Sequence, residues 1–172
     1  IPPVGKTVVQ LFWSVPSTQY YFLPRLRIKC EQIINGSNEI FYKELPIRHE
    51  MINGRLTPVF PKPSKNLSVS YQLDAISRFL SDYSDSLVSP SNVTIHQTLD
   101  FEVLTFDAEV SRYISVSNNS TNNLSIRFDE GDYSNISGGL GIFGSQVNKK
   151  YTRLKFLENY IRSYNFNFLY DL

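Results

Sequence analysis

Residues 23–31 read LPRLRIKCE. Leu26, Ile28 and Cys30 alternate with Arg25, Arg27, Lys29 and Glu31. A period of two marks a β-strand with one buried and one solvated face. Cys30 falls on the apolar face, where an inert core thiol is expected rather than a nucleophile. The turn residues NGSN follow at 35–38 and EIFYKEL resumes the strand, so 24–46 is predicted to form a β-hairpin.

The same reading extends in both directions. Asn53-Gly54 is a second turn signal, and Pro58, Pro61 and Pro63 keep their stretch out of any central strand. In LSVSYQLD, Leu67, Val69, Tyr71 and Leu73 alternate with polar residues. Asn92 to Thr105 forms a long strand candidate with Val93, Ile95, Leu99, Phe101 and Val103 inward and a slip of phase near Gln97. LSIRF at 124–128 is a shorter candidate.

Helices are the minority: a turn or two over 75–83, a short helix over 108–117 capped by Asp107, and one near 150–164. The last has Leu154, Leu157, Tyr160, Ile161 and Tyr164 on one stripe, although a strand pairing also suits it. The fold class is therefore mainly β: an antiparallel β-sandwich or barrel-like sheet with one to three short helices, in a single domain over 1–172.

Composition agrees. Eleven Tyr and twelve Phe, with many Ser and Asn, suit strands and turns, a mixture common in all-β proteins that work outside the cytoplasm. The net charge is +1 and no basic block exceeds Lys149-Lys150, so nucleic acid is not expected as a partner. The lone Cys30 allows no intrachain disulfide. No apolar run approaches the roughly 20 residues that span a bilayer. The chain starts IPPVGK with no signal-peptide pattern, and reads as processed or as the later portion of something longer.

Chemical motifs are few. Residues 138–144, GGLGIFG, contain G-x-G-x-x-G. A dinucleotide loop needs a buried strand before it and a helix and further βαβ unit after it. Here the polar DEGDYSNIS precedes and only 28 residues follow Gly144. Gly139, Gly141 and Gly144 are therefore read as a structural turn that needs positive φ or close approach, with Leu140, Ile142 or Phe143 anchored in the core. No cofactor is expected.

His49 and His96 are the only histidines and neither has a neighbour at metal-ligand spacing, so no metal and no catalytic residue is assigned. His96, in TIHQT, is read as a solvated strand histidine. Asp129, Glu130 and Asp132 read as a solvated acidic turn, at a spacing that fits no EF-hand loop. Seven Asn-x-Ser/Thr sequons, at Asn35, Asn66, Asn92, Asn118, Asn119, Asn123 and Asn135, carry little weight in a chain so rich in Asn and Ser. The one candidate ligand site is aromatic: Trp13, Tyr20 and Tyr21 flank a Pro-Ser-Thr turn, a pairing of ring faces with polar groups that holds sugars or peptides.

Three stretches carry a family likeness: YYFLPRLRIKC at 20–30, RFLSDYSDSL at 78–87, and DFEVLTFDAEVSRYISV at 100–116 followed by NISGGLGIFG at 135–144. In these the chain resembles a family of uncharacterised Bacteroidetes cell-envelope lipoproteins, often encoded beside TonB-dependent outer-membrane receptors. The resemblance implies a non-enzymatic accessory protein at the outer membrane or cell surface, held by a lipid anchor upstream of this chain and assisting nutrient uptake through such a receptor. The alternative from the residues is an extracytoplasmic glycan- or peptide-binding module or adhesin.

Overall fold

In the computed structural model the opening stretch is the middle of a 14-residue strand, β2 (Tyr21–Ile34), which turns through Gly36 into β3 (Ser37–Glu44). Gly36 has φ 79°, a left-handed conformation that a side chain disfavours. The structure describes residues 7–14, 20–34, 36–87, 92–117, 135–137, 143–156, 158–163, 166 and 169–171.

On its other side β2 pairs antiparallel with β7 (Val93–Phe106), from Tyr21 opposite Phe106 to Gln32 opposite Val93. Beyond β7 lies β8 (Gln146–Lys155), and the short β9 (Leu169–Asp171) runs parallel to β7 at Thr94–His96. These five strands form one sheet in the order β3-β2-β7-β8, with β9 beside β7. Pro24 sits in β2 outside the segment that pairs with β3, so its missing N–H costs no bond to that strand.

Two two-stranded sheets complete the β structure. β1 (Val8–Phe12) pairs with β6 (Ser68–Gln72), and β4 (Arg48–Ile52) with β5 (Arg55–Val59). The β4–β5 turn is the expected Asn53-Gly54, both with positive φ, as a two-residue hairpin turn of that hand requires. The protein is mainly β and antiparallel apart from the β7–β9 pair, and the sheets do not close into a barrel.

One core joins these parts. Phe22, Leu26, Ile28 and Cys30 of β2 and Val93, Ile95, Leu99, Phe101 and Val103 of β7 face inward, as alternation predicts. They cluster with Tyr71 of β6, Leu73, Ile76 and Leu80 of helix α1 (Leu73–Ser86), and Phe156. Burial pushes the Cys30 thiol up to about 12, against a small opposing effect of Lys43. It is the inert core thiol that its place in the strand predicts.

Near Gln97 it is the register that shifts, and the phase of alternation does not slip as expected. Ile28 pairs with Leu99 and Cys30 with Ile95, so His96, Gln97 and Thr98 stand opposite Lys29 alone. Two extra residues leave the parity of the strand unchanged, so Ile95 and Leu99 share a face.

Helices depart more from expectation. α1 spans 14 residues where 75–83 suggest only a turn or two; it has no side-chain N-cap, and Ser and Asp are poor helix formers. Burial of its apolar stripe against the core supplies what propensity lacks. α2 (Ala108–Ser117) has the predicted bounds, and Asp107 Oδ1 accepts from the Val110 N–H at 2.9 Å.

The helix expected near 150–164 is present but shorter, as α3 (Glu158–Arg162), and residues to Lys155 take the strand pairing that also suited the stretch. The open edge of β7 from Thr98 to Phe106 offers a ladder of backbone partners, which outweighs a helical stripe. Tyr160 and Ile161 still pack on the core. Leu157, Tyr164, LSIRF at 124–128 and the acidic turn at 129–132 lie outside the described residues.

Candidate functional site

Trp13 follows β1 and is tied down by its backbone N–H, which donates to Leu67 C=O at 3.1 Å. Its ring meets Phe22 edge-on with centroids 6.1 Å apart and Phe101 at 6.2 Å. Phe101 in turn stacks on Tyr151 of β8 at 6.2 Å. Around this aromatic run lies an open cleft of about 290 Å³, lined by Leu11, Phe12, Trp13, Ser14, Phe101, Tyr151 and Leu154. Phe12 is 70% exposed and Tyr151 40%, the latter with the Lys149 ammonium 5.6 Å from its ring centroid.

The indole Nε1 of Trp13 is buried and has no acceptor among the described residues. A buried donor without a partner is costly, and a ligand oxygen or an ordered water would relieve it. The cleft has mostly apolar walls, with Ser14 among its lining, and its volume lies just below the usual range of small-ligand sites.

Of the three residues proposed from sequence, only Trp13 lines this cleft. Tyr20 is exposed elsewhere, and Tyr21 lies under the Lys65 ammonium, 5.3 Å from its ring centroid. Phe12, Phe101 and Tyr151 take their places. Phe101 and Tyr151 come from distant parts of the chain, and the pairing of β7 with β8 sets Tyr151 beside the Phe101 that Trp13 touches. Their aromatic character was the one local signal.

The opposite face of the large sheet holds a second constellation, one that alternation alone describes as solvated. Glu102 of β7 is 5% exposed and Asp100 6%. Glu102 lies 3.2 Å from an Arg27 nitrogen and 3.9 Å from one of Arg25, and accepts from the Asn148 amide. Arg25 also meets Glu44 of β3 at 2.6 Å. Lys150 of β8 stands 2.7 Å from Asp100 Oδ2, although off the line of a good hydrogen bond.

Acid and base thus alternate across the sheet from β3 to β8. Tyr42 of β3 closes it over, with the Arg27 guanidinium 5.5 Å and the Lys150 ammonium 5.3 Å from its ring centroid. Tyr42 and Lys150 rise from strands three apart, roughly 14 Å of sheet. The two side chains must therefore lie down over the charges between them. Within this set every charge has an opposite partner, which is the pattern of a structural network.

Gly144 ends the glycine motif, and its place is fixed by close approach, not by positive φ. A Cβ built there would lie 2.3 Å from Val110 Cγ2, and 3.1 and 3.2 Å from the two Asp107 carboxylate oxygens. The neighbouring Ser145 donates its N–H to Asp107 Oδ2 at 2.5 Å and its hydroxyl at 3.1 Å. The Asn135 amide brackets the backbone of Phe143, donating to its C=O and accepting from its N–H, both at 2.7 Å.

Strand β8 follows this motif where a dinucleotide fold needs a helix. Phe143 is 83% exposed, so it is not the core anchor expected among Leu140, Ile142 and Phe143. Gly139, Gly141, Leu140 and Ile142 lie outside the described residues.

The histidines are partly buried. Burial and the nearby Arg78 hold His49 below the ordinary imidazole range, against the pull of Asp82 and Asp74. His96 is nearly buried between two carboxylates, Glu31 Oε1 at 3.0 Å and Asp171 Oδ2 at 2.6 Å, which corrects its reading as a solvated residue. Among the described residues no group of three or more His, Cys, Asp or Glu is arranged to hold a metal, and no helix is long and apolar enough to cross a membrane. No family model, curated protein or solved structure matches the chain.

Proposed function

We propose that the protein is a non-enzymatic binding module of the cell envelope whose aromatic cleft takes a glycan or peptide. The observation that carries this is the aromatic cleft itself, lined by Phe12, Trp13, Phe101 and Tyr151, with Phe12 70% exposed at it. An exposed ring beside an apolar cleft suits the face of a sugar ring or an apolar peptide side chain. Trp13 is the only tryptophan, so its fluorescence reports on this site alone. Titration with neutral oligosaccharides and short aromatic peptides is expected to give a saturable change in emission, weakened by Tyr151→Ala and unaffected by Tyr21→Ala. A flat response to every ligand, or equal loss in both variants, removes the cleft from consideration.

A second reading concerns the setting in which such binding serves, and the NISGGLGIFG likeness favours it. In that reading the protein is an outer-membrane or cell-surface accessory lipoprotein that assists a TonB-dependent uptake system. Purification of the full-length protein from native outer membranes is expected to bring such a receptor with it. Recovery only as a free monomer from the soluble periplasm would refute the association.

A further inference from the structure

We propose that strand β3 is a self-association edge, pairing antiparallel with β3 of a second copy of this chain so that two five-stranded sheets become one. Among the described residues β3 pairs with β2 alone, so no strand meets the backbone groups of its other edge. The Leu45 N–H donates to Leu26 C=O at 2.7 Å, and β3 pairs with β2 from there on without a shift. Along an antiparallel strand, successive residues turn their N–H and C=O to opposite sides. The odd positions of β3 therefore bond to β2, and Asn38, Ile40, Tyr42 and Glu44 present their backbone groups outward.

Such an edge is usually guarded by proline, a bulge or charge. β8, at the far side of the sheet, is guarded in this way. Lys149, Lys150 and Lys155 are exposed on it, it carries no acid, and its register shifts against β7. Two copies meeting there would set like charges together. β3 has neither proline nor bulge. Its Lys43 is turned toward helix α1, with the ammonium 4.1 Å from the ring centroid of Tyr83. Ile40, near its middle, is 57% exposed.

The sequence of β3, SNEIFYKE, is complementary to itself. Outward positions must meet outward positions, so a two-fold pair can centre on Ile40, Phe41 or Tyr42. Centred on Ile40, Glu39 faces Phe41 of the second copy. Centred on Tyr42, Lys43 faces Phe41. Centred on Phe41, each Glu39 faces Lys43 of the other copy, Ile40 faces Tyr42, and the two Phe41 rings meet on the axis. Only this register makes two ion pairs and leaves no charge opposite an apolar residue. It also puts Glu39 and Lys43 at positions without backbone bonds, where facing side chains approach most closely. Glu39 is exposed, and neither residue has an ion-pair partner among the described residues. The symmetry is that of the commonest closed dimers.

Sedimentation equilibrium of the whole chain tests this. The wild type is expected to pass from 19.8 kDa to twice that mass as concentration rises. A dissociation constant on the order of 10 µM suits so short a contact. Ile40→Pro removes an outward N–H and none that bonds β2, so it is expected to stay monomeric with an unchanged far-ultraviolet circular dichroism spectrum. Glu39→Lys and Lys43→Glu each set like charges opposite one another, and each alone is expected to associate roughly tenfold more weakly or worse. An equimolar mixture of the two is expected to form a mixed dimer about as tight as wild type, because every facing pair is again opposite in sign. If Lys43→Glu does not fold, Glu39→Lys still decides the register, since Glu39 is exposed. A wild type still monomeric at about 1 mM, a dimer indifferent to Ile40→Pro or to Glu39→Lys, or a mixture of folded variants that associates no better than each alone would overturn the proposal.

Discussion

Glu102→Ala is expected to lower the unfolding free energy by ~2–4 kcal/mol, read as a shift in the urea midpoint at constant m. Removing one member of a buried ion pair strands its partners, and Glu102 has several. Arg27 loses its ion-pair partner and Asn148 its acceptor, while Arg25 loses a longer contact and keeps Glu44, and Asp100 remains nearby with Lys150. The upper end of the usual range is not reached, because each arginine side chain is about a fifth exposed and recovers some water. Glu102→Gln keeps the shape and an acceptor oxygen, so it should lose less than Ala. Repeating the Ala measurement in high salt separates a shielded network from a surface pair, since only surface pairs are strongly screened. A loss under ~0.5 kcal/mol, the scale of ordinary exposed pairs, would show that the covered charges contribute nothing special.

Gly144→Ala is expected to lose ~1–3 kcal/mol, the usual range for overpacking. The new methyl would meet Val110 Cγ2 at 2.3 Å, and valine in a helix has one strongly preferred rotamer with little room to turn away. Moving the loop instead would disturb the bonds from Ser145 to Asp107, whose other oxygen caps α2. The same measurement on Gly144→Ala with Val110→Ala isolates the cause, because the second change removes the clashing carbon. The double variant should be more stable than the sum of the two single losses implies. Strict additivity, or a Gly144→Ala protein as stable as wild type, would contradict the close approach. Gly36 and Gly54 differ in kind: a Cβ at either meets nothing within 4 Å, and their constraint is positive φ alone.

What sequence reading reached here was local, and what it missed was long-range. Alternation in LPRLRIKCE sorted Leu26, Ile28 and Cys30 from the charged residues because parity belongs to the strand itself. Asn53-Gly54 and Asp107 were legible for the same reason, since each acts within a few residues. Parity does not say what stands across a strand. Arg25, Arg27, Asp100 and Glu102 read as solvated until β2 and β7 are paired and Tyr42 and Lys150 are laid over them. Tyr151 was expected within a helix and lines the cleft from a strand, because its partner strand lies far back in the chain. His96 likewise meets Asp171 only through the last strand.

The two faces of β7 also determine which misfolded pairings the chain can tolerate. A slip of one residue against β2 would carry Asp100 and Glu102 into the apolar cluster and set Leu99, Phe101 and Val103 against the arginines. Each such error buries unpaired charge and exposes the core at once. Most strands discriminate registers on one face, the other being wet and indifferent. Here both faces discriminate, so near-native registers are penalised twice, and the irregularity opposite Lys29 is accommodated only because its two extra residues preserve parity.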